Sequence, residues 1–231
     1  MKVIIIGGSH GIGKATAEAA LAAGHTATVF SRRPERIGLK HQKLRLVSGS
    51  VLDAAAVGQA IRGQQAVIIT LGIPTRLAIG PPLAGRSYVL SEGTHHVIAA
   101  IQKHGVRRLI CETAIGAGES RRQCTPLARF AFRVVLRWLF REKDRQEELT
   151  RGTDLDWTII RPTALSNGPA TGLYDVGPKL RSGILTYVSR RDAADLMVRS
   201  LGDKATYRTA LTVSYPPRRG DSWRWLKAYR P

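Results

Sequence analysis

A run of apolar residues, Val3-Ile4-Ile5-Ile6, leads into Gly7-Gly8-Ser9-His10-Gly11-Ile12-Gly13, and an alanine-rich segment, Lys14-Ala15-Thr16-Ala17-Glu18-Ala19-Ala20, follows. The order is buried strand, glycine-rich turn, helix. It builds an anion site from backbone alone. A tight turn needs residues that tolerate positive φ, close approach of the chain to a diphosphate needs missing side chains, and a helix N-terminus supplies free N–H groups. The spacing assigns Gly7, Gly11 and Gly13 to the turn and the amides of Ser9, His10 and Ile12 to the anion. His10 can reach a phosphate through a ring nitrogen or be a solvated turn residue.

A second strand, Thr26-Ala27-Thr28-Val29-Phe30, ends in Ser31-Arg32-Arg33. Folds that bind the unphosphorylated dinucleotide carry an acid near this point, on the ribose hydroxyls. This chain has two arginines instead. Their charge and forked donors suit a 2′-phosphate. The expected cofactor is therefore NADP(H), held by Arg32 and then Arg33; the competing reading makes both ordinary surface arginines.

Strand-like and helix-like segments alternate along the 231 residues. Strands are expected at about 2–6, 26–30, 43–47, 66–70, 107–112, 155–160 and 208–214, and helices at about 12–24, 53–62, 87–104, 126–151 and 190–201. Alternation of this kind predicts a doubly wound parallel sheet with helices on both faces, a three-layer α/β Rossmann-type fold. No repeat or linker divides the chain, so one domain over 1–231 is expected. Residues 72–86, 113–125 and 162–183 are too long for plain connectors and each follows a strand. They are expected to form a substrate lip at one rim.

No apolar stretch reaches the roughly 18–20 residues that span a bilayer, and no cleavable leader is visible. The two cysteines, Cys111 and Cys124, make no disulfide framework. A soluble, cytoplasmic protein is expected, with no metal site. The net charge of +19 favours anionic ligands. It is spread along the chain and accompanies no nucleic-acid motif, so no specific nucleic acid is expected. Monomer and homodimer both remain open.

These residues resemble the atypical short-chain dehydrogenase/reductase group, the NAD(P)H-binding proteins similar to biliverdin-IXβ reductase/flavin reductase and to NmrA-like proteins. The likeness runs over nearly the whole chain: the glycine spacing of Gly7, Gly11 and Gly13, Gly49-Ser50-Val51-Leu52-Asp53 after strand three, Leu71-Gly72 after strand four, the strand-five motif Ile110-Cys111-Glu112-Thr113-Ala114-Ile115-Gly116-Ala117-Gly118, Leu155-Asp156-Trp157-Thr158-Ile159-Ile160-Arg161-Pro162, and the following loop Asn167-Gly168-Pro169-Ala170-Thr171-Gly172. Val188-Ser189-Arg190-Arg191-Asp192 resembles the family's C-terminal helix start, with Ser189 as N-cap. The resemblance implies that Asp53 holds the adenine amine, in competition with a helix-capping role. It implies that Leu71 and Gly72 lie over the adenosine and that Lys143 bonds the nicotinamide ribose. Pro162, Thr163 and Ala164 would run beside the nicotinamide.

Conventional members carry Tyr-x-x-x-Lys, the tyrosine donating the proton. Here the lysine position is Lys143 and the tyrosine position is Leu139. Thr113 stands nearest to the usual serine, and Thr113 and Lys143 are the catalytic candidates. The biliverdin/flavin reductase branch works without that tyrosine, with solvent as the proton source. An NADPH-dependent reductase acting on a planar, anionic small-molecule acceptor is therefore expected: flavin-, quinone- or tetrapyrrole-like. The alternatives are a non-catalytic NADP(H) sensor of the NmrA-like type and an epimerase or isomerase.

Two further features stand apart from that site. Arg129, Arg133, Arg137, Arg141 and Arg145 recur every four residues along the expected helix 126–151, opposite an apolar stripe that includes Leu127, Phe130, Val134 and Val135. They form a solvated face or line the acceptor site. Arg161 is expected to pair with an acid such as Asp192 or to anchor an anionic substrate. The C-terminal residues 222–230 alternate aromatic and basic side chains and are expected to pack on the core.

Overall fold

A computed structural model describes residues 1–73, 88–183 and 186–216. The elements run β1 (Lys2–Ile6), α1 (Gly11–Ala22), β2 (Thr26–Ser31), β3 (Leu44–Ser48), α2 (Ala54–Ile61), β4 (Ala66–Ile69), α3 (Val89–Lys103), β5 (Arg108–Glu112), α4 (Pro126–Val134), α5 (Arg137–Arg151), β6 (Asp156–Pro162), β7 (Ala164–Ser166), β8 (Asp175–Gly177), β9 (Tyr187–Ser189), α6 (Arg190–Ser200) and β10 (Thr209–Ser214). The main sheet has the order β3-β2-β1-β4-β5-β6-β10-β8. Every pair in it is parallel except β10 with β8. The chain reverses direction of winding at β1/β4, the switch point where such sheets bind ligand beyond the strands' carboxyl ends.

β1 explains why the sheet must be covered twice. Val3 and Ile5 belong to one core cluster with α1 and α6; Ile4 and Ile6 belong to another with α2 and α3. All four are fully buried. Alternating side chains on a strand reach opposite faces. At about 1.5–3 kcal/mol per buried aliphatic side chain, β1 alone contributes on the order of 6–12 kcal/mol, comparable to the roughly 5–15 kcal/mol net stability of a domain.

All seven expected strands are present, and the three-layer Rossmann architecture stands. Two expectations are corrected. Residues 162–183 are not an open loop: they contain β7, which pairs with β9 in a small second sheet, and β8, the antiparallel edge of the main one. The expected helix 126–151 breaks into α4 and α5. The amides of Val135 and Leu136 both reach the Ala131 carbonyl, at 2.9 and 3.1 Å, which widens the turn. Register is the cause. The buried face of α5 includes Phe140, Lys143, Glu147 and Thr150. Continued backwards at 3.6 residues per turn, that face would carry Leu136, Arg133 and Arg129 into the protein. The break rotates Ala128 and Phe132 inward and leaves both arginines exposed.

Residues 74–86 of the first expected lip and the C-terminal residues 222–230 lie outside the described residues.

Candidate functional site

The turn after β1 has the required backbone. Gly7 sits at φ +91°, where a Cβ would also come within 2.8 Å of the Thr70 carbonyl oxygen. A Cβ on Gly13 would meet Gly7 O at 2.6 Å and Gly8 Cα at 2.7 Å. The α1 N-terminus is tucked into the turn, and only glycine allows it. His10 is the N-cap residue yet makes no side-chain cap, and the first turn holds no acid. The amides of Ser9, His10 and Ile12 have no backbone partner among the described residues. An uncapped helix start with orphan donors is a site for an anion. The His10 ring is exposed, with Nδ1 3.1 Å from Ser9 Oγ.

Arg32 and Arg33 follow the last residue of β2, both exposed, and neither forms an ion pair among the described residues. Asp53 is the α2 N-cap: its Oδ1 accepts from the Ala55 and Ala56 amides, each at 3.0 Å. Both caps fall on one oxygen, and Oδ2 has no hydrogen-bond partner among the described residues.

At the carboxyl ends of β4 and β5 the lysine of α5 arrives from below. Lys143 is buried, and its Nζ donates to the Leu71 carbonyl at 3.4 Å, to the Glu112 carbonyl at 3.2 Å and to Glu112 Oε2 at 3.3 Å. It is not a surface lysine. It ties together the ends of β4 and β5, beside the switch point. Burial pushes the Glu112 pKa up, against the opposing pull of Lys143 and Arg190. Burial likewise raises the Cys111 thiol to about 12, which leaves it an inert core group. Leu71 is buried and Gly72 exposed beside them.

Thr113 is also buried, and its Oγ1 donates to Glu147 Oε1 at 2.8 Å. Its one proton is committed inward, so toward a ligand it can only accept. Glu147 takes a second bond from Arg161 Nε at 2.8 Å and a third from Arg161 Nη2. Glu119 closes the cluster, bonding Arg161 Nη1 and Nη2 at 3.0 Å each. The expected Arg161–Asp192 pair does not form, and the fully buried Arg161 fork spends four of its five donors on Glu147 and Glu119. Burial works to lower its pKa, but the hydrogen bonds and charges of Glu147 and Glu119 hold it above the ordinary value. The same hydrogen bonds hold Glu119 down at about 2. Asp192 instead binds Thr171, Gly172, Ser189 and Tyr215, fixing the 171–172 turn to α6.

Pro162, Thr163 and Ala164 lie where β6 leaves the sheet. Their polar groups are largely engaged: Pro162 O accepts from Ile115 N, Thr163 N bonds Val213 O and Ala164 N bonds Thr186 O. The Thr163 and Ala164 amides and the Pro162 carbonyl are thus held by the scaffold.

One residue escaped the sequence reading as a ligand candidate. A Cβ on Gly11 would lie 3.7 Å from Arg190 Nε, and Arg190 Nη1 bonds Leu165 O and Asn167 Oδ1. Arg190 therefore lies across the glycine turn from the first position of α6. Its sequence signal was its place directly after the capping Ser189, at a helix start on the strand-end rim. Glu112 was visible too, as an acid closing the otherwise apolar Leu109-Ile110-Cys111.

A Rossmann sheet with an orphan-amide turn at its switch point defines a dinucleotide-binding protein. The chain belongs to the NAD(P)H-binding family, whose model matches residues 7–204. A curated relative from Streptomyces griseus, (4-alkanoyl-5-oxo-2,5-dihydrofuran-3-yl)methyl phosphate reductase, is 24% identical over 93% of this chain and 68% of its own length. YhfK of Bacillus subtilis, an uncharacterized sugar epimerase, is 27% identical over 73% of this chain and 70% of its own. Among solved structures, ChuY, an anaerobillin reductase from Escherichia coli O157:H7, superposes with a TM-score of 0.76 at 24% identity, covering 94% of this chain and 98% of that one. No helix of the described residues is long and apolar enough to cross a membrane.

Proposed function

We propose that this chain is an NADPH-dependent reductase that delivers hydride to a planar, anionic acceptor without a tyrosine acid. The observation that carries the reading is Leu139. It occupies the position one helical turn before Lys143, half-buried against the core on the β4–β5 side. It has no proton to give. Reduction of a plain ketone or alcohol-type interconversion at a sugar carbon needs an acid or base there; a conjugated acceptor, in which charge spreads onto a ring heteroatom, can take its proton from water.

When bound, the cofactor supplies the hydride; the chain supplies position and charge. The Ser9, His10 and Ile12 amides hold the diphosphate, and the Arg190 guanidinium covers it from α6. Arg32 and Arg33 bind the 2′-phosphate, and Asp53 Oδ2 takes the adenine amine, with Leu71 and Gly72 beneath the adenosine. Lys143, oriented by Glu112, trades its 3.4 Å bond to the Leu71 carbonyl for the nicotinamide ribose. Thr113 Oγ1 accepts from the carboxamide, and Pro162, Thr163 and Ala164 wall that edge. The Streptomyces relative supports the acceptor class, because its named substrate is an unsaturated lactone ring carrying a phosphate.

The test follows oxidation of NADPH by the full chain with flavin mononucleotide, a quinone, a linear tetrapyrrole and a phosphorylated unsaturated lactone. Turnover with one of these, and none with simple ketones, is the expected result. A second reading, a dinucleotide sensor without turnover, draws on the same Lys143, whose ammonium is already engaged by Glu112. Tight NADPH binding with no oxidation of the cofactor by any acceptor would favour it, and absence of binding would overturn both.

A further inference from the structure

Helix α4 presents its largest apolar side chains to solvent. Leu127, Phe130 and Val134 are 66%, 64% and 57% exposed, and Val135 just beyond them 47%. They fall at i, i+3 and i+7, one stripe of a helix. The side of α4 that meets the protein is narrow: Ala128 is buried, and Phe132 stacks on Phe140 with ring centroids 4.3 Å apart. A third sector, adjoining the apolar stripe, carries Arg129 and Arg133, and Arg137 and Arg141 continue it on α5. All four are exposed, and none forms an ion pair among the described residues.

The widened turn at Val135–Leu136 creates this arrangement, since an unbroken helix would turn Arg129 and Arg133 into the core. The result is a short amphipathic helix lying on the surface with bulky apolar residues beside unpaired arginines, in a chain of net charge +19. A helix of that pattern sinks its apolar face to the acyl boundary of a bilayer while its cations meet lipid phosphates. Nucleic acid would match the arginines but not the stripe.

We propose that α4 is a peripheral docking face for an anionic phospholipid bilayer, with Leu127, Phe130 and Val134 inserted and Arg129, Arg133 and Arg137 on the headgroup phosphates. The proposal stands independently of the catalytic reading.

Sedimentation of the full chain with vesicles tests it, comparing pure phosphatidylcholine with a mixture containing phosphatidylglycerol. Binding to the mixed vesicles alone is expected. The double variant Leu127→Ser/Phe130→Ser should weaken it about tenfold, as loss of buried apolar area predicts. Arg129→Gln/Arg133→Gln should weaken it by roughly the same factor. An equal charge change away from the face, Arg45→Gln/Arg62→Gln, should stay within about twofold, because distant surface charges are screened. Unchanged dinucleotide affinity in each variant confirms folding. Binding that ignores the serine pair, or falls equally with the distant charge control, reduces the effect to the general field of a basic protein and overturns the proposal. So does a concentration-dependent dimer abolished by the serine pair, which would make α4 a subunit interface, or nucleic-acid binding that depends on the same arginines in place of lipid binding.

Discussion

On the side of the cleft built by β1, α1 and β2, the charged and polar donors are uncommitted. Arg32 and Arg33 have no carboxylate partner among the described residues, and three amides of the glycine turn have no backbone partner there. On the side built by β5, β6 and α5, every comparable group is spent internally: Arg161 on Glu147 and Glu119, Thr113 on Glu147, Lys143 on Glu112. The first side is a mould for a fixed, highly charged ligand. The second is a preassembled wall whose charges cancel before any ligand arrives. A buried ion that is already paired costs nothing further on binding, whereas a free surface arginine gains its partner only from the ligand.

If that contrast is right, the two sides should fail differently under mutation. The largest effect belongs to the wall. Arg161→Met strands the Glu147 carboxylate in the interior, and removing one partner of a buried pair typically costs about 3–5 kcal/mol. Urea denaturation should show that loss. Adding Glu147→Gln to Arg161→Met should recover part of it. A loss below about 1 kcal/mol, the scale of an exposed pair, would erase the distinction.

Next comes the mould. Gly13→Val forces a side chain against Gly7 and Gly8 and should cut NADPH affinity by about a hundredfold, close to 2.7 kcal/mol, measured by calorimetry. Arg32→Gln removes no side-chain hydrogen bond or ion pair among the described residues. It should cost about 1.5–3 kcal/mol of NADPH affinity, the range for charge-assisted bonds, and leave NADH affinity unchanged. If NADH suffers equally, the arginine reads the diphosphate and the 2′-phosphate assignment fails.

The same contrast explains what was legible in the sequence. The mould is local: strand, turn and helix are contiguous, so Gly7 to Gly13 and the arginines after β2 could be placed by spacing. The sheet was legible for the same reason, since each strand is a short apolar run between turn signals. The wall is non-local. Arg161 meets Glu119 and Glu147 from different segments, and nothing in their spacing favoured those acids over Asp192. The break between α4 and α5 was hidden because both halves carry the same four-residue arginine rhythm. Only the phase of the buried face, fixed by tertiary packing, separates them.

The smallest effect is one of sign, and it divides the wall itself. Glu119 has its pKa held at about 2 by its hydrogen bonds to Arg161, below the ordinary 4.5. A carboxylate depressed by folding stabilises the native state above the ordinary value, and that contribution is lost as pH falls through the folded value. The advantage of the wild type over Glu119→Gln should therefore shrink between 4.5 and about 2. Glu112 runs the other way. Burial raises its pKa above 4.5, so folding favours the protonated form and its contribution declines as pH rises beyond that value. Wild type measured against Glu112→Gln should lose ground on going from acid toward neutral. Denaturation midpoints of the three proteins across that range read both slopes in one series. Parallel slopes would mean that Lys143 outweighs burial at Glu112. That carboxylate would then be a fixed counter-ion like Glu119, and Lys143, proposed to reach the cofactor ribose, would be held by charge at every pH at which the protein folds.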